Sequence, residues 1–153
     1  GKMTIASAQT LARVCPLSPF EPNKIVVNGK SYGLSACGYD IRIAQAHTLK
    51  PGSFALGSSV EHFSMPFDMV GIVHDKSSWA RKGLAVQNTV IEPGWRGFLT
   101  VELSNHGHDW LAIAEGDPIC QIIFHMLDQA TDRPYTGKYQ DQRSGPQPAI
   151  DER

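Results

Sequence analysis

The chain has 153 residues, 41% of them hydrophobic and 19% charged, with a formal net charge of −1. Such a chain is long enough for one domain with a real core. It offers no electrostatic footprint for duplex nucleic acid or an anionic membrane, and no apolar stretch approaches a membrane span. The start, Gly1-Lys2-Met3, has no signal-peptide core, and Gly1-Lys2 reads as a cloning remnant with Met3 as the natural start. Thr4 to Val14 predicts a short helix with Ile5, Leu11 and Val14 as its apolar residues, ended by Pro16 and Pro19. In "KIVVNGKSY", Asn28-Gly29 between apolar flanks predicts a type I′ hairpin, whose turn needs φ > 0 at both central positions.

"CGYDIRI" alternates as a strand, Pro51-Gly52 makes a turn, and "SFALGSSVEHFSM" carries strand-like pieces up to Pro66. "MVGIVH" reads as a buried strand. "SSWARKG" suits one helical turn, capped by Ser77 or Ser78 and stopped at Gly83. After the Pro93-Gly94 turn, Phe98 to Leu103 alternate. Leu99, Val101 and Leu103 are predicted to point one way, and Phe98, Thr100 and Glu102 the other. "DWLAIAEGDPICQIIFHML" gives two strands around Glu115-Gly116-Asp117-Pro118. From Thr131 onward Pro, Gly, Gln and charged residues dominate, so the tail is expected to be mobile or ordered only against something else. Many short strands with almost no helix predict an all-β fold, a barrel or a jelly-roll-like sandwich.

Cys15, Cys37 and Cys120 are odd in number and far apart. They suit a reducing, cytoplasmic compartment rather than a disulfide framework. No pair has CxxC spacing, and the HxH of His106 and His108 lacks a neighbouring third ligand, so no zinc or other metal site is expected from protein ligands. Walker A, GxGxxG and GxSxG patterns are absent.

Three groups of residues carry possible chemistry. "KSSWARK" combines two hydroxyls with Lys76, Arg81 and Lys82, which is either an anion site or a capped basic turn. "TVIEPGWRGFLTVEL" offers Glu92, Trp95 as a pocket wall or core aromatic, and Glu102 as a solvated strand residue or an acid/base. "RPYTGKYQDQRSGPQP" holds Tyr135, Lys138 and Gln142, and is either a closing lid or a disordered terminus.

Taken together, "GYDIRI", the run from "PGSFALG" to "KSSWARKGL", "VIEPGWRGFLTVELSN" and "RPYTGKYQDQRSGPQP" resemble the dCTP deaminases, which share a superfamily with the trimeric dUTP pyrophosphatases. The resemblance covers about Ser35 to Pro148. It implies a jelly-roll-like barrel with one or two short helices, a catalytic domain over residues 1–128, and a tail, 129–153, that closes over the site. It also implies a homotrimer with active sites between subunits. At the position of Glu102 the pyrophosphatase branch is usually aliphatic, whereas in the deaminase branch this glutamate is general base and acid. Zinc deaminases make their hydroxide on a metal. Here the resemblance implies that Glu102 activates the water, with Ser77 and a backbone carbonyl holding it and Arg81 ordering the site. It places the nucleotide against Lys76, Ser77, Ser78, Trp79, Ala80, Arg81, Glu92, Trp95, Thr100, Val101, Glu102, Tyr135, Lys138 and Gln142. Mg²⁺ would be carried by the triphosphate.

The expected activity is therefore conversion of dCTP, or a 5-substituted dCTP, to dUTP and ammonia. The alternatives are a bifunctional enzyme that also releases pyrophosphate, a dUTP pyrophosphatase, or a non-catalytic nucleotide-binding regulator. Three departures from the pattern bear on this. Asp75-Lys76 stands where the family usually has Gly-Arg, Glu92 stands for its aspartate, and the stretch from Gly83 to Ile91 is shorter than in many deaminases.

Overall fold

The computed structural model describes residues 4–152, so the reading of Gly1-Lys2-Met3 lies outside the described residues. Twelve strands and two short helices follow one another. Helix α1 spans Ala8–Val14 rather than starting at Thr4. The physical reason is the cap: Ser7 Oγ accepts from the Thr10 N–H at 3.3 Å and defines the helix start. Residues 4–6 extend along a strand instead. Ile5 bridges His125, and the Ala6 N–H donates to Phe124 O at 2.8 Å. Only Leu11 of the helix is fully buried.

The strands are β1 (Leu17–Ser18), β2 (Ile25–Val27), β3 (Lys30–Leu34), β4 (Tyr39–Arg42), β5 (His47–Leu49), β6 (Phe54–Ser64) and β7 (Met69–Asp75). Helix α2 (Ser77–Ala80) follows, then β8 (Leu84–Val86), β9 (Val90–Ile91), β10 (Arg96–Asn105), β11 (Leu111–Ile113) and β12 (Pro118–Met126). The Asn28-Gly29 hairpin forms as predicted, with φ of 50° and 76°. The pieces expected between Ser53 and Met65 fuse into one eleven-residue strand, β6. β7 is buried only at Met69 and Gly71, so it alternates rather than running fully buried.

Two curled antiparallel sheets make the body. One has the order β2-β3-β4-β12-β7-β9 and the other β1-β6-β10-β8, with β11-β5 as a small third ribbon. Tyr39, Ile41, Phe63, Val101, Leu103, Ile122 and Phe124 fill the space between them at 0% exposure. Alternation puts these side chains inside, and their burial is the main stabilising term.

β6 is bent where it passes β10. Between the pairs Phe98↔His62 and Thr100↔Ser58, β10 advances two residues and β6 four. The surplus residues of β6 turn toward β4. There Ser59 bridges Ile43, and Glu61 meets Arg42. The bulge thus joins the two large sheets and leaves the Leu99 N–H without a backbone partner on β6. That N–H donates to Ser59 Oγ at 2.9 Å instead.

Candidate active site

A cavity of about 700 Å³ opens over β10. Leu99, Thr100 and Glu102 line it from below, Phe54 and Leu56 of β6 from one side, and residues 88–92 with Trp95 from the other. Tyr135, Tyr139, Gln142, Gln147 and the next two residues of the tail cover it. Leu99 departs from the predicted alternation. Val101 and Leu103 are fully buried, but Leu99 shares the cavity with Thr100 and Glu102, beside the interruption in the β6 ladder.

Glu102 is half-buried, and no hydrogen bond or ion pair reaches its carboxylate among the described residues. Burial pushes its pKa up. Its backbone, by contrast, is fixed at both ends. The Glu102 N–H donates to Asn88 Oδ1 at 2.9 Å, and the Gln87 N–H donates to Glu102 O at 2.8 Å. Asn88 Nδ2 donates to Thr100 O at 2.7 Å.

The tail is tied to the same strand. Gln142 Nε2 donates to Phe98 O at 2.6 Å and to Thr100 Oγ1 at 2.7 Å. The Gln147 N–H donates to Thr100 Oγ1 at 3.0 Å. A hydroxyl oxygen has two lone pairs, so both bonds are accommodated. Gly97 permits this approach: a Cβ there would lie 2.7 Å from Gln142 N, and its φ is +146°. Trp95 is nearly buried, packs against Phe63 and donates from Nε1 to Tyr139 O at 2.6 Å. It is core aromatic and cavity wall at once. Tyr135 OH accepts from the Tyr139 N–H at 2.9 Å, and the Tyr135 N–H donates to Pro93 O at 2.8 Å. Glu92 is exposed at the rim, on the tight turn where the Trp95 N–H meets Glu92 O.

The other predicted residues lie elsewhere. Lys76 is paired with Asp40. Lys76 is also the N-cap residue of α2, and no side chain caps the helix, which corrects the expected Ser77 or Ser78 cap. Ser77 is exposed, and the Ser78 hydroxyl is buried without a partner among the described residues. Trp79 belongs to the core, donates from Nε1 to Pro118 O at 2.7 Å and lies under the ammonium groups of Lys30 and Lys82. Ala80 and Arg81 are exposed and line a second hollow of about 800 Å³ with residues 107–112. Val101 is fully buried. Lys138 pairs with Glu152 at 3.2 Å and does not line the cavity. Within one chain, therefore, Glu102, Glu92, Trp95, Thr100, Tyr135 and Gln142 come together, and residues 76–81 stay apart from them.

Asn88, Tyr139 and Gln147 were not foreseen. Asn88 had a readable signal: a short polar side chain between strand-like runs tends to bond to nearby backbone. Among the described residues, no group of three or more His, Cys, Asp or Glu could hold a metal ion. No helix among them is long and apolar enough to cross a membrane. Cys15, Cys37 and Cys120 are free thiols.

A family model described as dCTP deaminase-like matches residues 39–127, and the chain belongs to that family. The dCTP deaminase of Nitrosomonas europaea is 32% identical over 97% of this chain and 100% of its own length. Among solved structures, the 2′-deoxycytidine 5′-triphosphate deaminase from Agrobacterium tumefaciens aligns with a TM-score of 0.64 at 17% identity. The alignment covers 82% of this chain and 49% of that one. Native EIAV dUTPase aligns with a TM-score of 0.55 at 22% identity, over 64% of this chain and 82% of that one. These structural likenesses are likenesses of fold, and they agree with the all-β, jelly-roll-like barrel expected from the sequence.

Proposed function

We propose that the protein hydrolyses dCTP to dUTP and ammonia, with Glu102 as general base and then general acid. The observation that carries this is a half-buried carboxylate, without a partner among the described residues, facing a cavity lined by the tail in a dCTP deaminase-like chain. A carboxylate already bonded to an arginine would be a poor proton acceptor. One held in place through its backbone alone keeps both oxygens free for a substrate and a water.

In this reading the Glu102 carboxylate takes a proton from water as the oxygen bonds to C4 of cytosine. The proton passes to ring N3. The C4 hydroxyl of the tetrahedral intermediate then gives its proton, through Glu102, to the exocyclic nitrogen; as the C4=O forms, the C4–N bond breaks and ammonia leaves. No net oxidation occurs, and water supplies the new carbonyl oxygen. Ser77 and Arg81 hold and order the water, while Lys76, Ser78, Tyr135, Lys138 and Gln142 receive the triphosphate. Trp79 and Ala80 contribute through the turn that presents these groups. Glu92, Trp95, Thr100 and Val101 frame the sugar and base. Mg²⁺ arrives on the triphosphate, held by phosphate oxygens and water.

Because residues 76–81 do not line the Glu102 cavity, the site is completed by a neighbouring copy in a homotrimer, with residues 1–128 as the barrel and 129–153 as the closing tail. The three free thiols suit the cytoplasm. The test is incubation with dCTP, 5-methyl-dCTP and dUTP in the presence of magnesium, with products separated by chromatography. dUTP and ammonia from dCTP are expected, and 5-methyl-dCTP reports the preference at C5. dUMP with pyrophosphate would show a bifunctional enzyme. Cleavage of dUTP with no turnover of either cytosine nucleotide would overturn the proposal.

A further inference from the structure

We infer that Asn88 is a positioning residue for Glu102: its carboxamide stands in for the acceptor and the donor that a continued neighbouring strand would offer β10, and fixes the strand at the point where the carboxylate leaves it. This rests on the deaminase reading of Glu102. The observation is independent of that reading. β8 pairs with β10 only through Leu103↔Val86, Ser104↔Ala85 and Asn105↔Leu84. Beyond Val86 the Gln87 N–H still reaches Glu102 O, and then the chain turns away. In a continued antiparallel ladder, the next backbone groups of the neighbour would receive the Glu102 N–H and donate to Thr100 O. Asn88 does both with its side chain, at 2.9 and 2.7 Å.

The two bonds assign the amide. Oδ1 must face the N–H and Nδ2 the carbonyl, because the reverse orientation would set donor against donor and acceptor against acceptor. Asn88 therefore spans Thr100 and Glu102, which both line the cavity. With its oxygen and its nitrogen engaged by backbone, the carboxamide acts through the strand. A departure of the chain from β10 at this place leaves room for the cavity, and a side chain reaching back keeps the strand rigid there. Chemistry that needs a proton acceptor within hydrogen-bond reach is sensitive to such support: a displacement on the order of 1 Å can cost about a hundredfold in rate.

Asn88→Asp and Asn88→Ala separate positioning from mere folding. Aspartate keeps the volume and one acceptor, but it turns a donor toward Thr100 O into a second acceptor and adds a negative charge beside Glu102. Among the described residues, the other titratable groups on the cavity are Glu92, Tyr135 and Tyr139, and no Lys, Arg or His lines it. For both variants kcat on dCTP should fall about 10- to 100-fold with KM within about threefold. In Asn88→Asp the acid limb of the kcat/KM profile should also move to higher pH, because a like charge disfavours ionisation of Glu102. The Glu102 carboxyl titration, followed by NMR on protein with ¹³C-labelled glutamate, should shift in the same direction without any nucleotide. This second readout stands even if the wild type proves inactive on dCTP, which would overturn the deaminase reading and leave the placement of Asn88 to be judged alone. Wild-type-like kcat together with an unmoved titration would overturn the inference. Loss of the folded state in both variants would also overturn it, in favour of a purely structural asparagine.

Discussion

Two buried-side glutamates of this protein should respond in opposite ways to the same substitution. Glu102→Gln is expected to remove turnover while leaving the fold intact, and Glu61→Gln is expected to weaken the fold. The Glu102 carboxylate accepts no bond among the described residues, so an amide of the same shape takes away no contact. It also relieves a desolvation penalty. The folded-state pKa of Glu102 lies above that of the unfolded chain, so the folded protein binds its proton more tightly there. Stability from this group therefore falls as pH rises from the unfolded value, about 4.3, through the higher folded value, and the deficit persists at neutral pH. The neutral amide lacks that deficit, so the melting temperature of Glu102→Gln at pH 7 should equal or exceed that of the wild type. Activity should drop by about 10²–10⁴, which is about 2.7–5.4 kcal/mol of lost transition-state stabilisation. Glu61 is fully buried, and its two oxygens accept from the Arg42 N–H at 3.0 Å and from Arg42 Nε at 2.9 Å. Burial pushes its pKa up, against the pull of Arg42. An amide there turns one acceptor into a donor facing another donor. Breaking a buried pair costs about 3–5 kcal/mol, hence about 6–20 °C in a domain of this size. Calorimetry and steady-state kinetics on both variants test the contrast. A Glu102→Gln protein that melts well below wild type, or turns over dCTP within threefold of it, would refute the reasoning.

Three further outcomes follow from the same geometry. The kcat/KM profile should fall on its acid side at a pH above the ordinary carboxylate range, since Glu102 must be ionised to accept a proton and burial raises its pKa; a pH-rate series in constant ionic strength measures this. In the proposed homotrimer, Arg81→Ala and Glu102→Gln should each be inactive alone, yet recover about a quarter of wild-type activity when refolded together in equal amounts, because random assembly would place one intact Arg81 beside one intact Glu102 at that frequency. Thr100→Val should release the tail without touching the barrel: two neutral hydrogen bonds from Gln142 and Gln147 are lost, about 1–3 kcal/mol, so amide exchange at 142–147 should quicken about 5- to 150-fold while core amides stay unchanged.

Much of the fold was legible because its signals are local. Asn28-Gly29 fixes a hairpin through positive φ, Pro93-Gly94 fixes the turn before β10, and the apolar alternation of Tyr39 and Ile41 fixes the buried face of β4. Most of what escaped depends on distant partners. Helix α1 starts late partly because β12 takes the backbone of residues 4–6, which no local pattern shows; the Ser7 cap, by contrast, is a local signal that the predicted start at Thr4 passes over. Leu99 turns to the cavity at a place where β6 carries surplus residues that close the barrel at Ile43. No periodicity within "FLTVEL" can show that. The family resemblance supplied Glu102 and the tail residues. It did not supply Asn88, whose part depends on where β8 ends.

The distribution of charge around the cavity bears on how a triphosphate is held. Such a ligand needs cations, and charge-assisted bonds from lysine or arginine are the strong ones. Yet among the described residues no lysine or arginine lines the cavity over β10; its ionisable groups there are Glu102, Glu92 and two tyrosines. The α2 turn carries exposed cations: Arg81 has no ion pair among the described residues, and Lys82 lies over Trp79. Lys138 of the tail is held by Glu152, an exposed pair of little stabilising worth that an incoming phosphate can displace. The described residues of a single chain thus present the Glu102 carboxylate within a largely apolar pocket and the α2 cations on a different part of the surface. An apolar surround free of fixed positive charge is what raises the Glu102 pKa, since an adjacent guanidinium would lower it. In the proposed homotrimer, the cations of the α2 turn reach the nucleotide from a neighbouring subunit, so the proposed proton-transferring group and phosphate-binding group come from different chains.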